Sequence, residues 1–212
     1  MLAARIFLGL TLVWAVLALA GQARAARGTR RHDYSRPAGS AVRGLRYAFT
    51  GAMSPRHKET IRLHPIEFAI GLLLHLGAGA ALLEVGLTLA GSAAGVNWLR
   101  VLRPLLGLAL AAGFALIIRR IVSRNLRMIS TPDDYLGILA TCGLLALAGT
   151  VSAQGAGWLL LYCGGFLLYL PLGKLRHVLF CPVARGDVGL RLGHRGVYPP
   201  PRRRESLHGV RR

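Results

Sequence analysis

The sequence is poor in charged residues, and acidic residues are especially scarce. Charged side chains make up 17% of the 212 residues, and eight Asp and Glu stand against 27 Lys and Arg. Soluble domains carry about 25% charged residues, so this composition argues against an ordinary soluble globule. The hydrophobic fraction of 53% argues equally against a disordered chain, because disordered chains are poor in apolar residues.

Motifs of several common chemistries are also absent. The three cysteines, Cys142, Cys163 and Cys181, have no CxxC spacing, so the sequence predicts neither a disulfide framework nor a thiolate zinc site. A P-loop, a nucleophile elbow and a dinucleotide-binding fingerprint are missing as well. What remains is a basic, apolar chain with a net charge of +19, which is typical of a membrane protein with basic loops.

Long apolar runs predict the fold. A spanning helix needs about 20 mostly apolar residues, and helices suit lipid because they satisfy their own backbone hydrogen bonds. We therefore predict an all-α membrane protein, a bundle of five transmembrane helices. The five apolar runs are 2–21, 66–91, 101–118, 135–152 and 157–181.

The positions of the basic residues predict the orientation. Residues 24–62 hold ten Lys and Arg, residues 119–127 hold four, and residues 174–212 hold ten. Five spans place these three intervals on one side, and the positive-inside rule makes that side cytoplasmic. We expect an inner-membrane protein whose N-terminus is outside and whose C-terminus is cytoplasmic. Nucleic acid is not expected as a partner, because flanking membrane lipids explain the basic charge.

This orientation divides the chain into four parts. The predicted parts are a first transmembrane helix (1–21), a basic cytoplasmic loop (22–65), a four-helix membrane domain (66–181) and a basic cytoplasmic tail (182–212). The first helix has an alternative interpretation as a cleaved signal peptide, with Arg5 ahead of an apolar stretch. Cleavage would leave ten basic residues outside, so we favour a retained helix.

The segment Thr131-Pro132-Asp133-Asp134 predicts the start of the fourth helix. Threonine is a frequent N-cap, proline suits the first helical position, and acidic residues interact favourably with the positive end of the helix dipole. Docking of a partner is an alternative role for the two acids, although capping alone explains them.

Two histidines lie inside the predicted spans, His75 in the second and His177 in the fifth. An ionisable residue within a span is a functional candidate, since burying it is costly. The alternative is a neutral histidine bonded to a neighbouring helix. Both lie in the predicted cytoplasmic half, about 12 Å and about 6 Å from the rim at 1.5 Å per residue. Bundles hold b-type haem with such imidazole pairs, and the adjacent Gly71, Gly79 and Gly173 would let a flat macrocycle approach.

Three motifs carry a family resemblance over about residues 60–190. They are Leu74-His75-Leu76-Gly77, Arg119-Arg120-Ile121-Val122-Ser123 with Ile129-Ser130-Thr131-Pro132-Asp133-Asp134-Tyr135-Leu136, and Leu170-Pro171-Leu172-Gly173-Lys174-Leu175-Arg176-His177. In these motifs the chain resembles the gamma (cytochrome b) subunit of respiratory nitrate reductase and the membrane cytochromes of heterodisulfide-reductase and dissimilatory sulfite-reduction complexes.

The resemblance implies that His75 and His177 are the axial ligands of a haem b iron. It also implies electron transfer between the quinone pool and a cytoplasmic iron–sulfur or catalytic subunit of the same complex. The family has a second histidine pair for a distal haem, whose positions fall here near Val85 and Leu159. Neither residue is a ligand, so we expect one haem. The alternative is a non-redox membrane anchor or transporter component.

Four further polar residues are weaker candidates. His64 lies eleven residues, about three helical turns, before His75 and so on the same face. It could ligate a second centre, although rim hydrogen bonding or contact with a haem propionate is an alternative. Glu84 could handle protons for a quinone, or it could be a neutral acid that packs against Arg100 or Arg103. The two arginines could take part in the same quinone site, but snorkelling to the interface also explains them.

Overall fold

The computed structural model describes residues 1–28, 34–54, 59–90, 95–150 and 155–200, with the backbone alone at 27, 28, 59, 60 and 95–101. These residues form helices and turns, and no strand occurs among them. Short 3₁₀ turns cover Gly51–Met53 and Lys174–Arg176. The helices are α1 (Leu2–Gly28), α2 (Ala41–Phe49), α3 (Glu59–Leu63), α4 (Pro65–Leu89), α5 (Gly95–Val122), α6 (Arg124–Ile129), α7 (Pro132–Thr150), α8 (Ala156–Tyr169) and α9 (His177–His194).

The chain forms two compact units. The first unit consists of Met1–Ala20 and Pro65–Arg176, and the second consists of Gly21–His64 and His177–Arg212. The first unit therefore contains most of the apolar helices, while the second contains most of the basic residues.

Within the described ranges, three helices are long and apolar enough to cross a membrane. They are Leu2–Ala26, Pro65–Leu89 and Leu102–Val122, and Ala156–Tyr169 with Lys174–His194 would make a fourth if they are one broken span. This confirms the predicted all-α, membrane-type character. Helix α7 is 19 residues long but has two aspartates in its first turn, and it is not among these spans. The count of five spans and the orientation of the termini stay predictions.

The helices of the first unit approach one another closely at glycines. Among its largest fully buried side chains are Leu106, Leu144, Leu159 and Leu160. At four points a side chain of a neighbouring helix occupies the place where a Cβ would stand on a glycine. The pairs are Gly77 with Ala109, Gly113 with Cys142, Gly143 with Tyr162, and Gly164 with Phe7. Such small-residue contacts are typical of helices that associate in lipid.

The fifth apolar run is not one continuous helix, contrary to our expectation for residues 157–181. Helix α8 ends at Tyr169, and α9 begins only at His177. Pro171 supplies no N–H and Gly173 is a poor helix former, so the segment between α8 and α9 favours a break in the helix. The backbone N–H groups of Leu172 and Gly173 both donate to the Tyr169 carbonyl, at 2.9 and 3.0 Å, and this closes the turn.

The predicted start of α7 is confirmed, and the side chain that caps this end is that of Asp134. Pro132 is the first residue of the helix, with Asp133 and Asp134 in its first turn. The backbone N–H of Thr131 donates to Asp134 Oδ2 at 2.8 Å, and the Thr131 hydroxyl donates to the same oxygen at 3.0 Å. The carboxylate thus satisfies a backbone donor that the first turn of a helix leaves unpaired.

The same two aspartates hold the turn that follows α8. Asp133 accepts hydrogen bonds from the Tyr169 hydroxyl and from the backbone N–H of Lys174, the latter at 2.7 Å. The Lys174 ammonium lies 2.5 Å from Asp134 Oδ2, and Arg120 lies 3.6 Å from Oδ1. Hydrogen bonds from Lys174 first, and then from Thr131, lower the pKa of Asp134 to about 2. We call Asp133, Asp134, Tyr169 and Lys174 the aspartate clamp.

The second unit is built on a close pair of helices. Gly44 of α2 lies against Gly189 and Gly193 of α9, where an added Cβ would meet backbone atoms. The Ser40 hydroxyl caps α2 by accepting the Arg43 N–H at 3.3 Å. The predicted basic loop, 22–65, therefore contains a packed helix, and the predicted tail, 182–212, contains most of α9. Short α2 has no long apolar run, and so our sequence criteria missed it.

A test of the glycine contacts compares two glycines of α4. We expect Gly77→Ala to lower the free energy of unfolding by about 1–3 kcal/mol, because the added methyl overpacks the contact with Ala109. The control is Gly86→Ala, since a Cβ there has nothing within 4 Å. Thermal unfolding of the purified chain in detergent measures both. Equal stability of the two variants would contradict the packing described here.

A second test concerns the aspartate clamp. We expect Asp134→Asn to cost about 1.5–3 kcal/mol, the usual contribution of hydrogen bonds to a charged group. The control is Asp187→Asn, whose partner Arg191 lies at 2.9 Å in an i,i+4 surface pair; such pairs contribute about 0.3–0.5 kcal/mol.

The pH dependence of unfolding checks the same clamp. Because the folded pKa of Asp134 is about 2 and an unperturbed Asp titrates near 3.9, the charged carboxylate stabilises the fold fully above about pH 4. This contribution falls as the pH drops through the folded pKa. The difference in the free energy of unfolding between the wild type and Asp134→Asn should therefore shrink between about pH 4 and pH 2. A difference that stays constant across this range would contradict the stabilising role of the charged Asp134 in the aspartate clamp.

Candidate functional site

His75 lies in the middle of α4 on the exposed face of the helix. Its Nδ1 is 2.7 Å from the carbonyl oxygen of Gly71, one turn earlier. A carbonyl can only accept, so this contact assigns the proton to Nδ1 and the lone pair to Nε2. Histidines that bind metals typically have this arrangement, because the hydrogen bond fixes the tautomer and orients the ring.

The glycines on either side of His75 leave its face of the helix open. A Cβ added at Gly71 or at Gly79 would have nothing within 4 Å. These residues lie four positions before and four after the histidine, so all three share one face of α4. The sequence prediction that a flat group could approach the backbone here is consistent with this open surface.

His177 is the first residue of α9 and is exposed. The expected depth of about 6 Å assumed a continuous fifth helix at 1.5 Å per residue, and the break after Tyr169 removes the basis for that estimate. Cys181, Ala184 and Val188 follow on the same face of α9 and are also exposed. His75 belongs to the first unit and His177 to the second, so their pairing stays a prediction.

Gly173 does not provide room for a macrocycle, contrary to expectation. It is buried, and the ring of Tyr169 occupies the place where its Cβ would stand. Tyr169 packs over this glycine while its hydroxyl reaches Asp133. Gly173 therefore serves the turn and the aspartate clamp.

The described residues bring together few metal-binding side chains. Among the described residues, no group of three or more His, Cys, Asp or Glu side chains is placed to hold a metal ion. Two histidines alone are too few for a bare ion, which typically takes four or more ligands. They suffice for haem, where the porphyrin supplies the equatorial nitrogens and the protein supplies the axial ligands.

His64 does not belong to α4. It is an exposed residue between α3 and α4, immediately before Pro65. It is therefore not on the helix face that carries His75, and the helical spacing behind its candidacy as a second ligand does not apply.

Glu84 lies in the core of the first unit with 3% of its surface exposed. It follows His75 by nine residues and therefore points to the opposite side of α4. Its side chain hydrogen-bonds to Thr88 and interacts electrostatically with Arg103. The Oε2 atom accepts no hydrogen bond from the described residues. A buried, partly unsatisfied carboxyl in a spanning helix is typical of a functional group.

Arg100 and Arg103, the two arginines predicted near Glu84, both belong to α5. Arg103 is exposed on α5, one turn after Arg100. The side chain of Arg100 lies outside the described residues. The proposed quinone role of Glu84, Arg100 and Arg103 stays a prediction.

The basic residues between α5 and α7 fall into two groups. Arg119 pairs with Glu67 at 3.1 Å, and Arg120 bonds to Ser130 Oγ at 2.7 Å besides contacting Asp134. Arg124 and Arg127 are exposed and form no ion pair with the described residues. The sequence alone shows these four arginines as one basic interval, 119–127. It does not reveal that Lys174 pairs with Asp134 in the first turn of α7, because these residues are forty positions apart.

Comparisons with protein-family models, with curated proteins and with solved structures gave no significant match for this chain. The similarity to the nitrate reductase gamma subunit therefore stays a resemblance in the motifs quoted above.

Proposed function

We propose that this chain is the haem b subunit of a membrane oxidoreductase complex and transfers electrons between the quinone pool and a cytoplasmic redox partner. The observation that carries the proposal is the geometry of His75. Its Nδ1–H is held by the Gly71 carbonyl at 2.7 Å, and its helix face is open between Gly71 and Gly79. An ionisable residue within a spanning helix is a functional candidate, and the open face beside it leaves room for a flat group.

His75 Nε2 and an imidazole nitrogen of His177 would be the axial ligands. When bound, the haem supplies one-electron redox chemistry, and the protein tunes its potential through ligands, hydrogen bonds and burial. Because His75 and His177 would both be occupied in holding the haem, which would then have no place for a substrate, the chain would act as a relay. Val85 and Leu159, at the positions of the second histidine pair, are 5% and 0% exposed in the apolar core, which supports a single haem.

A relay requires a donor and an acceptor outside the chain. We propose quinone as one of them, with Glu84 as a proton-handling residue near Arg103 and Arg100. The other would be an iron–sulfur or catalytic subunit on the cytoplasmic side. The exposed Arg124 offers positive charge that would attract an acidic protein surface.

Three contacts join the ends of α4, α5, α7 and α8, and they support a common basic rim for four of the five proposed spans. Glu67 at the start of α4 pairs with Arg119 at the end of α5, and Arg120 reaches Asp134 at the start of α7. Tyr169 at the end of α8 bonds to Asp133, so α7 and α8 run antiparallel over a similar length. At 1.5 Å per residue α7 is about 28 Å long, close to the thickness of a bilayer core.

Absorption spectroscopy tests the haem. We expect the purified chain to show a low-spin b-type spectrum with about one haem per chain, since two histidines fill both axial positions. His75→Ala and His177→Ala should each abolish this spectrum. The control is His194→Gln, because His194 Nε2 donates to the Ser35 carbonyl at 3.0 Å and has a structural role.

A second pair of variants tests the open face of α4 beside His75 without removing a ligand. Gly79→Leu should block haem uptake by filling the open face beside His75, whereas Gly86→Leu, nearly two turns further along α4, should not. A full spectrum in both histidine variants would refute the redox proposal. In that case a non-redox anchor or a transporter component would be the better description.

Reporter fusions test the orientation. Fusions within residues 30–55 and after Arg212 should be cytoplasmic, and a fusion within 92–97 should be external. The reason is that 24 of the 27 basic residues lie in the three intervals assigned to one side. An external signal from the first fusion would indicate a cleaved signal peptide and four spans.

A further inference from the structure

An open groove lies in the first unit where α6 meets the start of α7. Its volume is about 550 Å³, within the usual range for sites that bind small molecules. The residues that line it are Arg127, Ser130, Pro132, Tyr135, Leu136 and Leu139. The proposed haem site and the candidate quinone residues use none of them.

The floor of the groove is an apolar stripe on α7. Pro132, Leu136 and Leu139 are spaced i, i+4 and i+7 and therefore share one face of the helix. Leu136 is 52% exposed and Leu139 is 49% exposed. A hydrocarbon chain bound along this stripe would bury two leucines that are otherwise exposed.

One end of the groove carries positive charge that no carboxylate of the described residues neutralises. Arg127 donates one hydrogen bond, to the Ile121 carbonyl at 2.9 Å, and has further N–H groups available. Neither Arg127 nor Arg124 forms an ion pair with the described residues, whereas Arg119 and Arg120 pair with Glu67 and Asp134. The groove therefore presents a guanidinium at one end and an apolar stripe along its length.

The surroundings of the groove are typical of the membrane–water boundary. Val122 is 74% exposed, Met128 is 76% exposed and Ile129 is 73% exposed, all within a few residues of the arginines. Apolar and basic side chains that alternate on a short exposed helix are characteristic of segments in the headgroup region.

We propose that this groove binds one anionic phospholipid, with its phosphate on Arg127 and an acyl chain along Leu136 and Leu139. A quinone fits less well, because its neutral head would leave the guanidinium without an anion, and because Ser130 already accepts from Arg120 and donates to Leu126. An acidic peptide would pair with the arginines but would leave the apolar stripe uncovered. The proposal rests on the membrane location and does not depend on the haem.

Binding of fluorescent phospholipids to the purified full-length chain in detergent tests the proposal. Phosphatidylglycerol should bind more tightly than phosphatidylcholine with the same acyl chains. Arg127→Gln should weaken phosphatidylglycerol binding about fivefold, since each arginine near an anionic lipid contributes about that factor. Leu139→Trp should weaken the binding of both lipids by filling the groove, and its exposed position lets the chain tolerate the change.

The matched control is Arg119→Gln, which removes the same charge from the same region, although this arginine is occupied by Glu67. It should bind phosphatidylglycerol like the wild type. Equal losses in Arg119→Gln and Arg127→Gln would indicate a general effect of charge and would overturn the site. Equal affinity for the two lipids would overturn it as well. So would a short-chain quinone that displaces the lipid equally well from the wild type and from Arg127→Gln. An unchanged haem spectrum in Arg127→Gln separates these outcomes from failure of the redox proposal.

Discussion

Close contact between helices at glycines is the constraint on which the arrangement of the first unit depends. Lipid gives little hydrophobic drive for helices to associate, so association relies on tight van der Waals contact. Gly77 fixes the rotation of α4, because Ala109 of α5 occupies the space beside it. His75 precedes Gly77 by two residues and therefore faces outward, while Glu84 follows by two helical turns and lies inside. One packing contact thus determines the surroundings of both polar residues.

Much of the fold follows from local sequence, and the parts that do not follow depend on distant contacts. Apolar runs predict α4 and α5, and the Thr131–Asp134 segment predicts the start of α7, since each signal lies within the element itself. The break after Tyr169 was missed because the apolar character of residues 157–181 is nearly continuous. The contacts that stabilise this break come from Asp133 and Asp134, and their link to Lys174 spans forty residues of sequence.

The candidate site shows the same division between local and distant information. The sequence identifies His75, and helical spacing alone places Gly71 and Gly79 on its face. Sequence cannot distinguish these glycines from Gly173, which is the same residue type at a similar distance from a histidine. The difference is the ring of Tyr169, which fills the space at Gly173 and leaves its hydroxyl for Asp133. A glycine near a ligand thus indicates room for a cofactor only after its neighbours are known.

The basic charge of the chain is likewise not one uniform field. Arg119 and Arg120 are held by Glu67 and Asp134, and these pairs join α5 to the starts of α4 and α7. Their charge is compensated locally, so they contribute less to attraction at a distance. Arg124 and Arg127 have no such compensation within the described residues. Among the described residues between α5 and α7, the uncompensated positive charge therefore comes from two arginines, one of which lines the apolar groove.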